Sequence, residues 1–153
     1  MILWAGRHHR SGWEEICSAY RKKIAPMATV RDVPVKVRAA SNDPQRLRIE
    51  GQALLAALPR PSWPVALDSR GEIVDSTQLA ERLGRIKAGW PHPVVFVLGS
   101  DLGLDLAVLD EARWVLSLGR LTLSHELARA VLYEQLFRTL TIEAGMSYHR
   151  EPL

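Results

Sequence analysis

The chain has 153 residues, enough for one α/β domain spanning residues 1–153 that buries roughly two-thirds or more of the surface its unfolded form exposes. At 47% hydrophobic and 24% charged, with no apolar run near the roughly 20 residues that cross a bilayer, it reads as an ordinary globular protein and not a membrane protein. Lys plus Arg outnumber Asp plus Glu by 20 to 17, a mild excess that permits a nucleic-acid partner, and the single cysteine excludes an internal disulfide or a cysteine-rich zinc site.

In chain order, "ILWA" at 2–5 predicts a short strand ending at Gly6. The start "MILWAGRHHR" meets charge too soon for a signal peptide, so the expectation is a cytoplasmic chain. "RHHR" at 7–10 reads as a solvated basic loop and not a ligand pair. Residues 11–24 place Trp13, Ile16, Cys17, Tyr20 and Ile24 at helical spacing, closed by Pro26, with Cys17 read as core packing and not as a nucleophile. Residues 29–39 alternate apolar and charged residues, a strand with one solvated face, and Pro34 assigns it to an edge or a bulge.

A helix is predicted over 42–58, capped by Asn42 or Asp43 with Pro44 in its first turn. "WPVALD" at 63–68 predicts a buried strand, and "SRGEIVDS" a turn into a helix over 77–89. "PVVFVLG" at 93–99 is the most continuously apolar segment, which fits a central parallel strand covered on both faces. A short helix over 102–112, a last strand over 113–119 and a long helix over 124–145 complete an alternation that predicts an α/β fold with a mainly parallel sheet. In the last helix Ala128, Val131, Leu132, Gln135, Leu136 and Leu140 form one mostly apolar face, with Ser124 as cap and Glu126 suited to the positive end.

The loop "GSDLG" at 99–103 raises the question of a ligand. It lacks the lysine and spacing of a P-loop, and it is not the G-x-G-x-x-G of a first βα unit. Asp101 beside a helix start would repel a phosphate, so the loop is either a tight turn or a site for a neutral or cationic ligand.

The order "ALDSRGE…STQLA", an "FVxG" strand with a glycine loop, "LSLxxLTLxHxLxRxxLxEQLxR" and a terminal "YHR" resembles the RlmH type of SPOUT methyltransferase, from about residue 48 to the end and more loosely before it. The resemblance implies a sheet flanked by helices with a C-terminal trefoil knot, a homodimer, and S-adenosyl-L-methionine as donor to N3 of a pseudouridine in 23S rRNA of the ribosome. It places the donor on Leu67, on Gly99, Ser100 and Gly103, and on Leu118, Gly119, Arg120, Leu121, Thr122 and Leu123.

His149, in a polar tail, is expected to contact RNA or to accept the N3 proton, with Arg150 or Arg129 offsetting charge on the base oxygens. His125 reads as a core or capping residue or as an acid–base group. Arg7, Arg10, Lys22 and Lys23, beside Arg21, form an expected phosphate-contacting surface shared with Tyr148, and Arg46 and Arg48 form a second basic group. No metal is expected.

The loop departs from the family pattern of two adjacent glycines: Ser100 takes the second place, and Asp101 and Leu102 precede the retained Gly103. Were that second place at positive φ, serine would cost on the order of 1 kcal/mol. Rival readings are a homologue that binds ribosomal RNA without efficient catalysis, and a methyltransferase for another RNA.

Overall fold

The computed structural model describes residues 1–6, 12–37 and 41–150, the last two of these by their backbone alone. Five parallel strands form one sheet in the order β2-β1-β4-β3-β5. They are β1 (Ile2–Ala5), β2 (Asp32–Val35), β3 (Trp63–Ile73), β4 (Val94–Leu98) and β5 (Trp114–Ser117). Between and after them run α1 (Gly12–Ile24), α2 (Asp43–Ala57), α3 (Ser76–Gly89), α4 (Leu106–Glu111) and α5 (His125–Glu143), and a 3-10 turn, Ser147–Arg150, follows.

The sheet divides the core in two because successive side chains point to opposite faces. Ile2, Trp4, Phe96 and Leu98 meet Cys17 and Ile24 of α1, Leu79, Leu83 and Ile86 of α3, and Leu132, Tyr133 and Phe137 of α5. Leu3, Ala5, Val95 and Val97 meet Leu54 of α2 and Val108 of α4 on the other face. Both faces of β4 are therefore dry, which explains its unbroken apolar run. Pro34 sits in β2, at the sheet edge, as its missing N–H requires.

Helix starts follow their capping residues. Asn42 accepts from Gln45 N at 2.9 Å, Asp75 and Gln78 form a reciprocal capping box, and Ser124 accepts from Leu127 N at 3.3 Å.

Three expectations change. β3 continues to Ile73 where a turn was expected: its pairing with β5 jumps so that both Leu67 and Glu72 oppose Leu116, and residues 68–71 bulge out. Gly71 allows this, since a Cβ there would lie 2.6 Å from the Val115 carbonyl oxygen. On α1, Cys17 and Ile24 are buried, but Trp13 and Ile16 lie on the flank and stay exposed. On α5 the fully buried set is Arg129, Ala130, Leu132, Tyr133, Phe137, Thr139 and Thr141, and Ala128, Val131, Gln135, Leu136 and Leu140 are only half-buried. The helix packs against α1, α3 and the sheet at once, so it is covered on several sides and has no single apolar stripe.

Candidate active site

The carboxyl ends of β3, β4 and β5 open into one cleft of about 810 Å³, a volume typical of small-molecule sites and at the end of a parallel sheet where ligands are usually held. Its walls are Leu67–Arg70 of the β3 bulge, Leu98–Leu104 after β4, Leu116–Gly119 after β5, and 121–126 with Ala128, which lead into α5. Segments distant in sequence thus meet here because three neighbouring strands end side by side.

The glycine loop is a tight turn. Gly103 N donates to the Ser100 carbonyl at 3.0 Å and Leu102 N to Ser100 Oγ at 3.3 Å. Gly103 has φ +79, and a Cβ on Gly99 would collide with the Gly103 carbonyl, so glycine is required at both ends. Among the described residues no side-chain-bearing residue has positive φ, so Ser100 carries none of the strain considered above.

The cleft's charges are paired. Arg70 Nε bonds Asp68 Oδ1 at 2.7 Å and holds the Asp68 carboxyl below the usual range, and Arg46 does the same for Asp101. His125 Nε2 lies 3.7 Å from Glu126 Oε1. Among the lining residues no lysine appears, and the single arginine is held by Asp68. Leucine walls, backbone groups and small hydroxyls suit a flat heterocycle with a neutral or cationic appendage better than a phosphate chain.

Of the residues expected to hold a donor, Leu67, Gly99, Ser100, Gly103, Leu118, Gly119, Leu121, Thr122 and Leu123 all line this cleft, and Arg120 does not. Arg129, expected to offset charge on the base oxygens, does not line the cleft. It is 5% exposed, its guanidinium is bonded to Asp32 and to Glu14 (2.9 Å), and it lies 4.3 Å over the Trp4 ring, so it is committed to the interior and does not reach the cleft. Arg46 is likewise occupied, by Glu50 and Asp101, whereas Arg48 is exposed.

Lys22 and Lys23 are exposed on the last turn of α1. Lys23 Nζ lies 5.6 Å over the Phe137 ring, against which Tyr148 also packs at 4.8 Å, so two expected RNA contacts share one neighbourhood. Burial pushes the Tyr148 phenol well up, and its hydroxyl donates to Glu134 Oε1 at 3.3 Å. Arg7 and Arg10 lie outside the described residues, as do the side chains of His149 and Arg150.

Sequence reading missed Asp68, Ser69 and Arg70, which enter the cleft only through the β3 bulge, whereas His125, read as a core, capping or acid–base residue, and Glu126, read as suited to the helix start, both line it. Sequence reading also missed the tie between α2 and the glycine loop. No periodic signal marks a bulge or a contact of |i−j| 50, such as Ser100 with Glu50.

Two solved structures share the fold: a probable methylase family protein from Haemophilus influenzae Rd KW20 (TM-score 0.53, 15% identity, 99% of this chain and 70% of that one) and a probable methyltransferase from Bordetella pertussis Tohama I (TM-score 0.58, 19% identity, 91% and 92%). Proteins named ribosomal RNA large subunit methyltransferase H are similar over almost the whole length. The one from Solidesulfovibrio magneticus is 38% identical over 97% of this chain and 96% of its own, and the one from Xanthobacter autotrophicus 38% over 98% of each. The family model described as predicted SPOUT methyltransferase matches residues 1–149, and the chain belongs to that family of methyltransferases.

Proposed function

We propose that this protein transfers a methyl group from S-adenosylmethionine to N3 of a pseudouridine in 23S rRNA of the ribosome, as a cytoplasmic homodimer. The observation that carries the reading is the convergence of the three expected donor segments on one cleft with apolar walls and no free phosphate-binding cation among its lining residues. The naming of the full-length relatives as large-subunit rRNA methyltransferases supports the substrate class.

Bound there, S-adenosylmethionine supplies an electrophilic methyl on a sulfonium centre. The chain's task is then alignment, exclusion of water and removal of one proton. Backbone groups of Gly99 and of residues 118–123 would hold the donor, and the leucines of the cleft would pack against it. His149 accepts the imide proton from N3, and Arg150 offsets charge on the base oxygens.

The tail's position bears on the assembly. Tyr148 docks against Glu134, Phe137 and Arg138, and Phe137 lies about 18 Å along α5 from His125 at 1.5 Å per residue. A tail docked that way on its own helix does not serve its own cleft, so the His149 acting at each cleft belongs to a second copy. Leu121, in the cleft wall and 83% exposed, offers apolar surface for that copy to cover. A C-terminal trefoil knot belongs to the same reading. It is supported by the position of β3 between β4 and β5, with α4 covering one face and α5 the other.

Calorimetry with S-adenosylmethionine tests the reading. The wild type binds and Gly99→Val, which fills the turn, does not. His149→Ala keeps donor affinity and loses methyl transfer by on the order of 100-fold. Methylation by His149→Ala at the wild-type rate would remove it from the chemistry. Failure of the folded wild type to bind donor would leave an RNA-binding homologue.

A further inference from the structure

Two of the departures in the glycine loop, Ser100 and Asp101, are held by one turn of α2. Ser100 Oγ donates to Glu50 Oε2 at 2.6 Å, and Arg46 Nε donates to Glu50 Oε1 at 2.9 Å. The same Arg46 guanidinium reaches across to the Asp101 carboxylate. Glu50 is 4% exposed, and both of its carboxylate oxygens are bonded, as a buried polar group requires. Beside it, Gly51 lets α2 press on the segment after the loop: a Cβ there would lie 2.6 Å from Asp105 Cβ. Asp105 in turn caps α4 by accepting from Ala107 N at 3.0 Å. The loop between β4 and α4 is thus clamped from one side by Arg46, Glu50 and Gly51, and its other side is the wall of the cleft.

We infer that Glu50 and Arg46 are positioning residues for the methyl donor, acting through Ser100 and Asp101 to hold the glycine loop in its donor-binding shape. In the family pattern a second glycine occupies the place of Ser100; here a hydroxyl gives α2 a handle on the turn. Ser100 joins both sides of it, because its Oγ accepts from Leu102 N while its carbonyl accepts from Gly103 N. Asp101, with Arg46 as partner, is neutralised as a pair and adds no net charge to the cleft. None of these α2 residues lines the cleft, so their effect on donor affinity is transmitted through the loop. The inference rests on the reading of the cleft as the donor site.

The test is a double-mutant cycle on Glu50 and Ser100, read by calorimetry with S-adenosylmethionine and by amide hydrogen exchange without it. Glu50→Ala and Ser100→Ala each weaken donor binding on the order of tenfold, and the double variant is no weaker than Glu50→Ala alone. Glu50→Gln, which keeps an acceptor for Ser100, stays within about threefold of wild type. Without donor, the Gly103 amide exchanges at least tenfold faster in Glu50→Ala while the β4 amides keep their protection.

Unchanged donor affinity and unchanged Gly103 exchange in Glu50→Ala would overturn the inference, as would fully additive losses in the double variant. If Glu50→Ala does not fold, Ser100→Ala carries the same test alone: wild-type affinity and wild-type Gly103 exchange in it would overturn the inference. A wild type that binds no donor but shows the exchange difference would refute the donor reading and leave the clamp on the loop standing.

Discussion

Arg129 shows how one residue type carries opposite roles until its neighbours are known. In sequence it stands one turn from His125, beside the expected chemistry. In the structure it is one of two cations, with Arg21, of an interior cluster with Glu14, Asp32 and Trp4. Removing it leaves the buried Asp32 carboxylate with only the half-buried Arg21 as its ion-pair partner, at 3.1 Å. Arg129→Ala is therefore expected to lower unfolding free energy in urea titrations, by less than the about 3–5 kcal/mol of a fully unpaired buried charge because Arg21 stays, with donor affinity of the folded fraction unchanged. A loss of donor affinity without loss of stability would return it to the site.

Gly103 behaves differently. Its φ of +79 makes Gly103→Ala cost about 1 kcal/mol in the same titration, and the cost falls on the cleft wall, so donor affinity drops with it. Cys17 is fully buried and its thiol is pushed up by that burial, so it should react with thiol reagents only at the rate of unfolding. Fast labelling of native protein would contradict its place in the core.

At the scale of elements, sequence and structure agree wherever a periodic pattern met a local stop signal. β4 was legible as a central strand because no polar residue interrupts it, and α2 because Asn42 and Pro44 mark its start. The order of strands was not legible, since pairing is set by crossovers that leave no trace in spacing. The face of α5 was misread for a related reason: a helix covered on several sides has no amphipathic stripe, and Arg129, Thr139 and Thr141 are buried on it through specific surroundings. The cleft segments at 99–103 and 118–123, expected to hold a donor, were singled out through family motifs, whereas the bulge at 68–71 and the contacts from α2 depend on tertiary structure alone. The cap of α5 gives a direct check, because Ser124 was read from sequence as the cap and its side chain accepts from Leu127 N. Ser124→Ala should cost about 1 kcal/mol through loss of the bond from Leu127 N, and no change would assign helix initiation elsewhere.

At the scale of the whole molecule, a tail docked far along α5 and a cleft at its start make the single chain an incomplete catalyst in the reading proposed above. Sedimentation should therefore give a dimer at the concentrations used for assay, and monomer alone would contradict the shared site. With Lys22 and Lys23 exposed on α1, ribosome binding should tighten as salt falls, and Lys22→Ala with Lys23→Ala should flatten that dependence.

The measurement that bears most directly on the central claim is transfer of labelled methyl from S-adenosylmethionine to ribosomes that carry the 23S pseudouridine but lack its methyl group, with a related enzyme as control. Incorporation at that nucleotide, abolished by Gly99→Val, is the predicted result. A control that methylates beside a folded wild type that does not would contradict it.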